Sequence, residues 1–235
     1  MKVFFVHGAL VFDGAWWWHR MVEPLAALGM ATQAVELPSC VPAPGASGEA
    51  MGDMYADADA VRAALGEEDD SVVLVGHSYG GMVITDAASG QENVKHLVYV
   101  TSVMPERGET LASFGGSELG PWMDPREEDG TMGIKAELAP AAFMQDCDEE
   151  TVTLKRLTRQ PLAAFAQSPR AVAWREKPST YVVCSEDRAT PPDAQRGYAR
   201  RADRVVELLT GHHPMLSRPE LLARVLAEVV ATPDA

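Results

Sequence analysis

Gly76-His77-Ser78-Tyr79-Gly80 sets a serine between two glycines. A β-branched, apolar run at 71–75 leads into it, and a helix-like stretch at 81–88 leads out. A serine hydroxyl becomes a useful nucleophile only when it stands exposed beside a base, so the turn carrying it must be tight. Side chains at 76 and 80 would crowd one another, and glycine removes that conflict. The helix that follows aims its positive end at the place where an oxyanion would form. The chemistry such a turn serves is acyl transfer. It also requires a base, and a third group to orient that base and stabilise its positive form. Asp187 follows an apolar run ending at Cys184, and His212 follows another ending at Leu209. Glu186 and Asp193 stand near Asp187, and His213 adjoins His212, so the pattern alone leaves those choices open. Acyl transfer further needs N–H donors for the oxyanion. Tyr79, the residue after the serine, and Ala9, within His7-Gly8-Ala9-Leu10, are the expected donors. His7 and His77 lie beside glycines and read as shaping their loops, while His19 and His96 read as surface or packing residues.

These residues need a frame. Lys2–Val6 reads as a buried strand and 32–37 as a second. Trp17, Met21, Leu25 and Leu28 recur at helical spacing, with Pro24 among them. The stretch 38–48 is rich in Pro, Gly and Ser and reads as a loop. Met54, Ala58, Val61 and Leu65 mark a helix face, with Asp53 as N-cap. Strands follow at 72–75 and Val94–Val100. The alternation implies right-handed crossovers and a parallel sheet covered on both faces. It breaks at Met104-Pro105. From there to about 178 no strand is evident, and apolar residues at helical spacing with Gly115-Gly116 and Gly130 suggest a mostly helical cap. A strand at 180–184, a helix at 191–202, a strand at 205–209 and a last amphipathic helix through Leu221–Val229 positions complete the pattern. The expected boundaries are a core of 1–104 and 179–235 with a cap at 105–178.

The 235 residues suit one α/β domain with an insertion, and 46% hydrophobic residues suffice for a sizeable core. A formal charge of −14 argues against nucleic acid, since phosphate binding needs a basic face. No apolar run long enough for a membrane span is present, and no secretory leader is visible. Cys40, Cys147 and Cys184 are too scattered for a disulfide framework or a zinc site, so a reduced, cytoplasmic setting is expected and no metal. The three consecutive tryptophans, Trp16 to Trp18, read mainly as packing the first helix onto the sheet. Leu10, Met104, Trp122, Phe143 and Met215 are the expected pocket residues, with Phe114, Met123 and Phe165 as further cap candidates.

The chain resembles the α/β-hydrolase superfamily, in the branch holding small bacterial esterases, plant methylesterases and hydroxynitrile lyases. The resemblance rests on Val6-His7-Gly8-Ala9, on Gly14-Ala15-Trp16 with Trp18, and on Gly76 to Gly81. It continues in Tyr99 to Pro105, in Glu186-Asp187 with Pro192 and Gln195, and in His212 to Pro219. It implies the α/β-hydrolase fold, with a mostly parallel sheet of about six strands, helices on both faces and a helical cap. It also implies Ser78 as nucleophile, Asp187 as acid, His212 rather than His213 as base, and Ala9 and Tyr79 as oxyanion donors. The implied function is serine hydrolysis of a small-molecule carboxylic ester through an acyl-enzyme, without cofactor. The loop between Ala9 and Asp13 is about two residues longer than in the plant enzymes, as the resemblance reads. The related hydroxynitrile lyases carry threonine and lysine where this chain has Gly8 and His213, which favours hydrolysis over a lyase. A ligand-binding module on the same scaffold is the remaining alternative, opposed by an intact Ser, Asp and His set. The oligomeric state stays open, a homodimer among the options.

Overall fold

The computed structural model describes residues 1–41, 51–114 and 120–231. Residues 42–48 of the loop expected at 38–48, and the Gly115-Gly116 pair, lie outside the described residues. The chain opens with β1 (Lys2–Val6), then α1 (Gly14–Trp17) and α2 (His19–Ala26), then β2 (Ala31–Val35). Next come α3 (Met54–Gly66), β3 (Val72–His77), α4 (Gly80–Ala87) and β4 (Val94–Val100). The insertion carries α5 (Leu111–Phe114), β5 (Met123–Arg126), β6 (Thr131–Ile134), α6 (Ala139–Phe143), β7 (Gln160–Pro161) and α7 (Leu162–Ala166). The core resumes with β8 (Ser179–Cys184), α8 (Pro192–Ala199), β9 (Arg204–Leu208), α9 (Pro214–Ser217) and α10 (Pro219–Ala231).

Six strands form one parallel sheet in the order β2-β1-β3-β4-β8-β9. Because both faces are covered, the central strands are almost wholly buried and mostly apolar rather than alternating with polar residues. Their period-two geometry still divides them. Phe4, Val6, Leu74, Leu97, Tyr99 and Val183 pack on one side with α3 and α4. Val3, Phe5, Val75, Val98, Val100 and Val182 pack on the other with α2 and α10. Each fully buried Val, Leu or Phe contributes about 1.5–3 kcal/mol relative to exposure, so two such layers are the main source of the core's stability. The chain leaves β1 for β2 on one side and returns to β3 on the other. Ligand crevices in open α/β sheets lie at such a switch point, beyond the carboxyl ends of the strands. His7 and Ser78 begin the loops that leave those two ends.

Several expected elements sit where the pattern put them. Asp53 caps α3, its side chain accepting from the Ala56 N–H at 2.9 Å. Trp17, Met21 and Leu25 are buried, and Trp18 stacks on Phe5 with centroids 4.2 Å apart. Leu28 departs from its expected helix face, because α2 ends at Ala26 and leaves it in a turn, half exposed. The insertion corrects the expectation of no strand there. Besides short helices it holds a three-stranded antiparallel sheet in the order β5-β6-β7. These strands span only two to four residues and contain Pro125, Gly133 and Pro161, which erase the strand signal. Side-chain bonds support them instead. Arg159 donates to Asp124 Oδ2 at 2.6 Å, to the Asp124 carbonyl at 2.7 Å and to Thr131 Oγ1 at 2.7 Å. Among the described residues no helix is long and apolar enough to cross a membrane.

Candidate active site

Ser78 occupies the turn between β3 and α4 with φ +53, a left-handed backbone that costs a non-glycine residue roughly 1–2 kcal/mol. The surroundings hold it there. Its N–H donates to Val100 O at 3.2 Å, and its carbonyl accepts from the Ser102 hydroxyl. The flanking glycines are required by close approach. A Cβ at Gly76 would lie 2.8 Å from the Gly80 carbonyl oxygen, and one at Gly80 would lie 2.6 Å from the Val6 carbonyl oxygen. The crowding expected between positions 76 and 80 is therefore real for Gly76, while Gly80 is confined by the end of β1.

Asp187 follows β8 and is buried. Its Oδ2 accepts from His212 Nδ1 at 2.8 Å, from Gln195 Nε2 at 3.1 Å and from the Thr101 hydroxyl. Its Oδ1 accepts from the N–H groups of Ala189 at 2.7 Å and Thr190 at 3.0 Å. Burial alone would raise this carboxyl's pKa. The charge of His212 and the hydrogen bonds outweigh burial and hold it below the ordinary carboxylate value. An ionised carboxylate only accepts, so His212 Nδ1 carries the proton and Nε2 is left as the basic nitrogen. Glu186 is exposed, and Asp193 is exposed and pairs with Arg196, so neither competes for the imidazole. Thr101 was not visible in the sequence as a support for Asp187. Its φ of +40 turns it at the end of β4 toward the carboxylate, and no motif announces that.

His213 has a different partner. Its Nδ1 lies 2.9 Å from the Phe143 carbonyl, and burial followed by the neighbouring His212 pushes its pKa down to about 3. His77 donates Nε2–H to the His212 carbonyl at 2.7 Å, and burial holds it well below the ordinary histidine value. These two imidazoles stay neutral at physiological pH and brace the loop bearing His212. His7 bonds Gly8 O at 2.8 Å, a loop-shaping contact of the expected kind.

Ser78 and His212 open onto one cavity of about 750 Å³, at the carboxyl end of the sheet and beneath the insertion. Among the described residues no hydrogen bond joins the Ser78 hydroxyl to the imidazole; such contacts often tighten only with substrate bound. Ala9 and Tyr79 also line the cavity, and among the described residues neither backbone N–H donates to a protein acceptor. Leu10, Trp122 and Phe143 lie on the wall, the last two rings meeting edge to face at 4.9 Å. Met104 and Met215, expected at the pocket, are instead fully buried in the two packing layers and off the lining. Nearness to a strand end in sequence did not reveal which way each side chain points. Trp17, read as packing, reaches the lining, where its ring lies 4.9 Å from His213. The wall is mostly apolar, and among the described residues Arg188 is its single charged side chain. The three cysteines are free, and among the described residues no cluster of metal-ligating side chains occurs.

Residues 3–225 match the Alpha/beta hydrolase family. The chain is similar to Methylesterase 8 of Arabidopsis thaliana, 27% identical, with 93% of this chain and 85% of that protein covered. It is also similar to Polyneuridine aldehyde esterase of Rauvolfia serpentina, 25% identical, with 95% and 93% covered. Among solved structures, a pyrethroid hydrolase from Sphingobium faniae JZ-2 superposes with a TM-score of 0.86 at 25% identity, covering 99% of this chain and 98% of that one. With a six-stranded parallel sheet, a serine on a strained strand-to-helix turn and a match over nearly its whole length, the chain belongs to the Alpha/beta hydrolase family.

Proposed function

We propose that this protein is a serine hydrolase that cleaves small carboxylic esters through an acyl-enzyme. The observation that carries the reading is the buried His212–Asp187 pair, 2.8 Å apart, with His212 on the same cavity as the strained Ser78. Ser78 Oγ attacks the ester carbonyl carbon while His212 Nε2 takes its proton. Asp187 holds the imidazole tautomer and stabilises the positive form. The unpaired N–H groups of Ala9 and Tyr79 receive the oxyanion. His212 then hands its proton to the departing alcohol. In the second half it activates water, which attacks the acyl carbon and releases Ser78 with the carboxylic acid.

The apolar wall supports an ester whose acyl or alcohol part is apolar and of moderate size. The esterases and the pyrethroid hydrolase to which the chain is similar support the same class.

The test is turnover of short p-nitrophenyl esters by the wild type, Ser78→Ala and His212→Ala. Each variant is expected to lose about 10⁴-fold or more in kcat, and by comparable factors, because the groups act as a unit. A fluorophosphonate should label Ser78 in the wild type. Ester turnover that survives Ser78→Ala, or labelling that is absent, overturns the reading.

A further inference from the structure

Behind the cavity wall runs a buried chain of polar groups that none of the proposed steps uses. Asp57, on α3, carries a fully buried side chain. Its Oδ1 accepts from the Ser39 N–H at 2.8 Å. Its Oδ2 accepts from the Tyr79 hydroxyl at 2.6 Å and the Ser39 hydroxyl at 2.5 Å. Ser39 Oγ accepts in turn from Gln160 Nε2 at 2.7 Å, and Gln160 Oε1 accepts from the Leu10 N–H at 3.1 Å. Ser39 and Gln160 are likewise wholly buried.

The chain has a direction. Donors point from Leu10 through Gln160 and Ser39 to Asp57, and Tyr79 points to the same carboxylate oxygen. Successive bonds of one polarity reinforce each other, and an anion is the natural terminus for them. Burial pushes the Asp57 carboxyl up to about 6, against the opposing pull of the Ser39 and Tyr79 bonds, so it is ionised at neutral pH.

The two ends are the informative part. Tyr79 carries one of the unpaired N–H groups on the cavity, and Ala9, next to Leu10, carries the other. Leu10 has φ +64, a conformation that persists only where neighbours hold it. Oxyanion donors act only when aimed in advance at the developing charge. We propose that Asp57 is a positioning residue for both oxyanion donors, fixing Tyr79 directly and the Ala9 loop through Ser39 and Gln160. This rests on the serine hydrolase reading above. It also gives the insertion a part beyond the pocket wall, because Gln160 comes from β7.

The experiment uses the full chain with Tyr79→Phe, Gln160→Leu and Asp57→Asn. Tyr79→Phe removes one hydroxyl and keeps the ring and the backbone N–H. Two readouts are taken: kcat and KM on p-nitrophenyl butyrate, and the affinity of an aryl trifluoromethyl ketone beside its methyl ketone analogue. In the trifluoromethyl adduct Ser78 Oγ bonds to the ketone carbon, the carbonyl electron pair moves onto oxygen, and the serine proton passes to His212. That adduct needs the oxyanion donors, whereas the methyl ketone reports ground-state binding.

Loss of one direct oxyanion donor costs roughly 10²–10³-fold in kcat, so misaiming should cost about tenfold. Each variant should lose about tenfold in kcat with KM changed less than about twofold, and bind the trifluoromethyl ketone about tenfold more weakly with the methyl ketone unaffected. Unchanged kcat and trifluoromethyl ketone affinity in folded Tyr79→Phe and Gln160→Leu overturns the positioning role, as do losses confined to KM. If Asp57→Asn fails to fold, those two variants decide. If wild type shows no preference for the trifluoromethyl ketone, or Ser78→Ala keeps its turnover, the hydrolase reading falls and takes this role with it. Normal Ser78 dependence with normal variants removes the positioning role alone.

Discussion

The rim of the parallel sheet and the insertion above it meet at one cavity but are built on different terms. At the rim, Ser78, Asp187 and His212 each follow a strand of one continuous sheet, and their loops are tied by bonds to backbone and to buried polar side chains. In the insertion the elements are two to five residues long, and their fastenings mix partly exposed ion pairs, such as Arg159 with Asp124 and Arg156 with Asp13, with neutral bonds such as Gln160 with Leu10. Few insertion side chains are fully buried, Ala139, Ala164, Ala173 and Gln160 among them. The rim is therefore built to fix its side chains in place, as the buried bonds of Asp187 to His212 and Thr101 show. The insertion supplies apolar area to the cavity through Trp122, Phe143 and Phe165, where tolerance is greater. On the proposed reading, the reacting groups sit on the sheet rim, and the groups that would touch the rest of a substrate sit on the insertion.

The sharpest way to break this division is at Asp187. Asp187→Asn keeps the shape of the side chain but offers an N–H₂ where His212 Nδ1–H now donates. The imidazole then has reason to adopt the other tautomer, and Nε2 loses its lone pair. We expect kcat to fall by about 10⁴-fold with KM little changed. A loss of only a few fold would mean that the 2.8 Å pair is structural and that the base lies elsewhere.

Stability separates the regions next. Leu74 is fully buried at the centre of β3, so Leu74→Ala should cost about 2–5 kcal/mol and lower the melting of the whole chain. Arg159→Leu removes four hydrogen bonds to Asp124 and Thr131, all within the small sheet. It should open the β5–β6 turn to protease while the main thermal transition moves by only a few degrees, as suits a local loss of about 1–2 kcal/mol. Calorimetry with limited proteolysis distinguishes the two. If Arg159→Leu melts the core as deeply as Leu74→Ala, the two regions fold as one unit and the contrast fails.

The same contrast explains what the sequence disclosed. A glycine pair flanking Ser78 is a local requirement, because a Cβ at Gly76 meets the next turn at 2.8 Å, and local requirements leave local patterns. The central parallel strands hold mostly apolar runs, such as residues 3–6 and 72–75, which are legible for the same reason. The choice of Asp187 over Glu186 and Asp193 was open from spacing, since all three lie near one loop; burial and the direction of His212 separate them. Thr101, Gln160 and Asp57 gave no signal, because their partners are 86, 150 and 22 residues away. Met104 and Met215 were misplaced because position along the chain does not tell which face a side chain takes. The strands of the insertion were missed because ion pairs and a left-handed Gly130 turn, rather than β-branched runs, form them.

The smallest expected effect tests the insertion as a selector. Trp122 meets Phe143 edge to face at 4.9 Å, and Phe143 lies 5.4 Å from the His212 ring, so Trp122 is one layer removed from the reacting groups. On the acyl-enzyme reading, an acetyl group on Ser78 is expected to stay clear of it and a longer or aromatic acyl chain to meet it. Trp122→Ala loses the aromatic pair, worth about 0.5–1.5 kcal/mol beyond burial. We expect kcat/KM for a long-chain or aromatic ester to fall about tenfold, mostly through KM, and that for the acetyl ester to stay within about twofold. Fluorophosphonate labelling of Ser78 should proceed at the wild-type rate. Equal losses on both esters would place Trp122 with the rim, as part of what aims His212, and would move the boundary between the two regions inward by one aromatic ring.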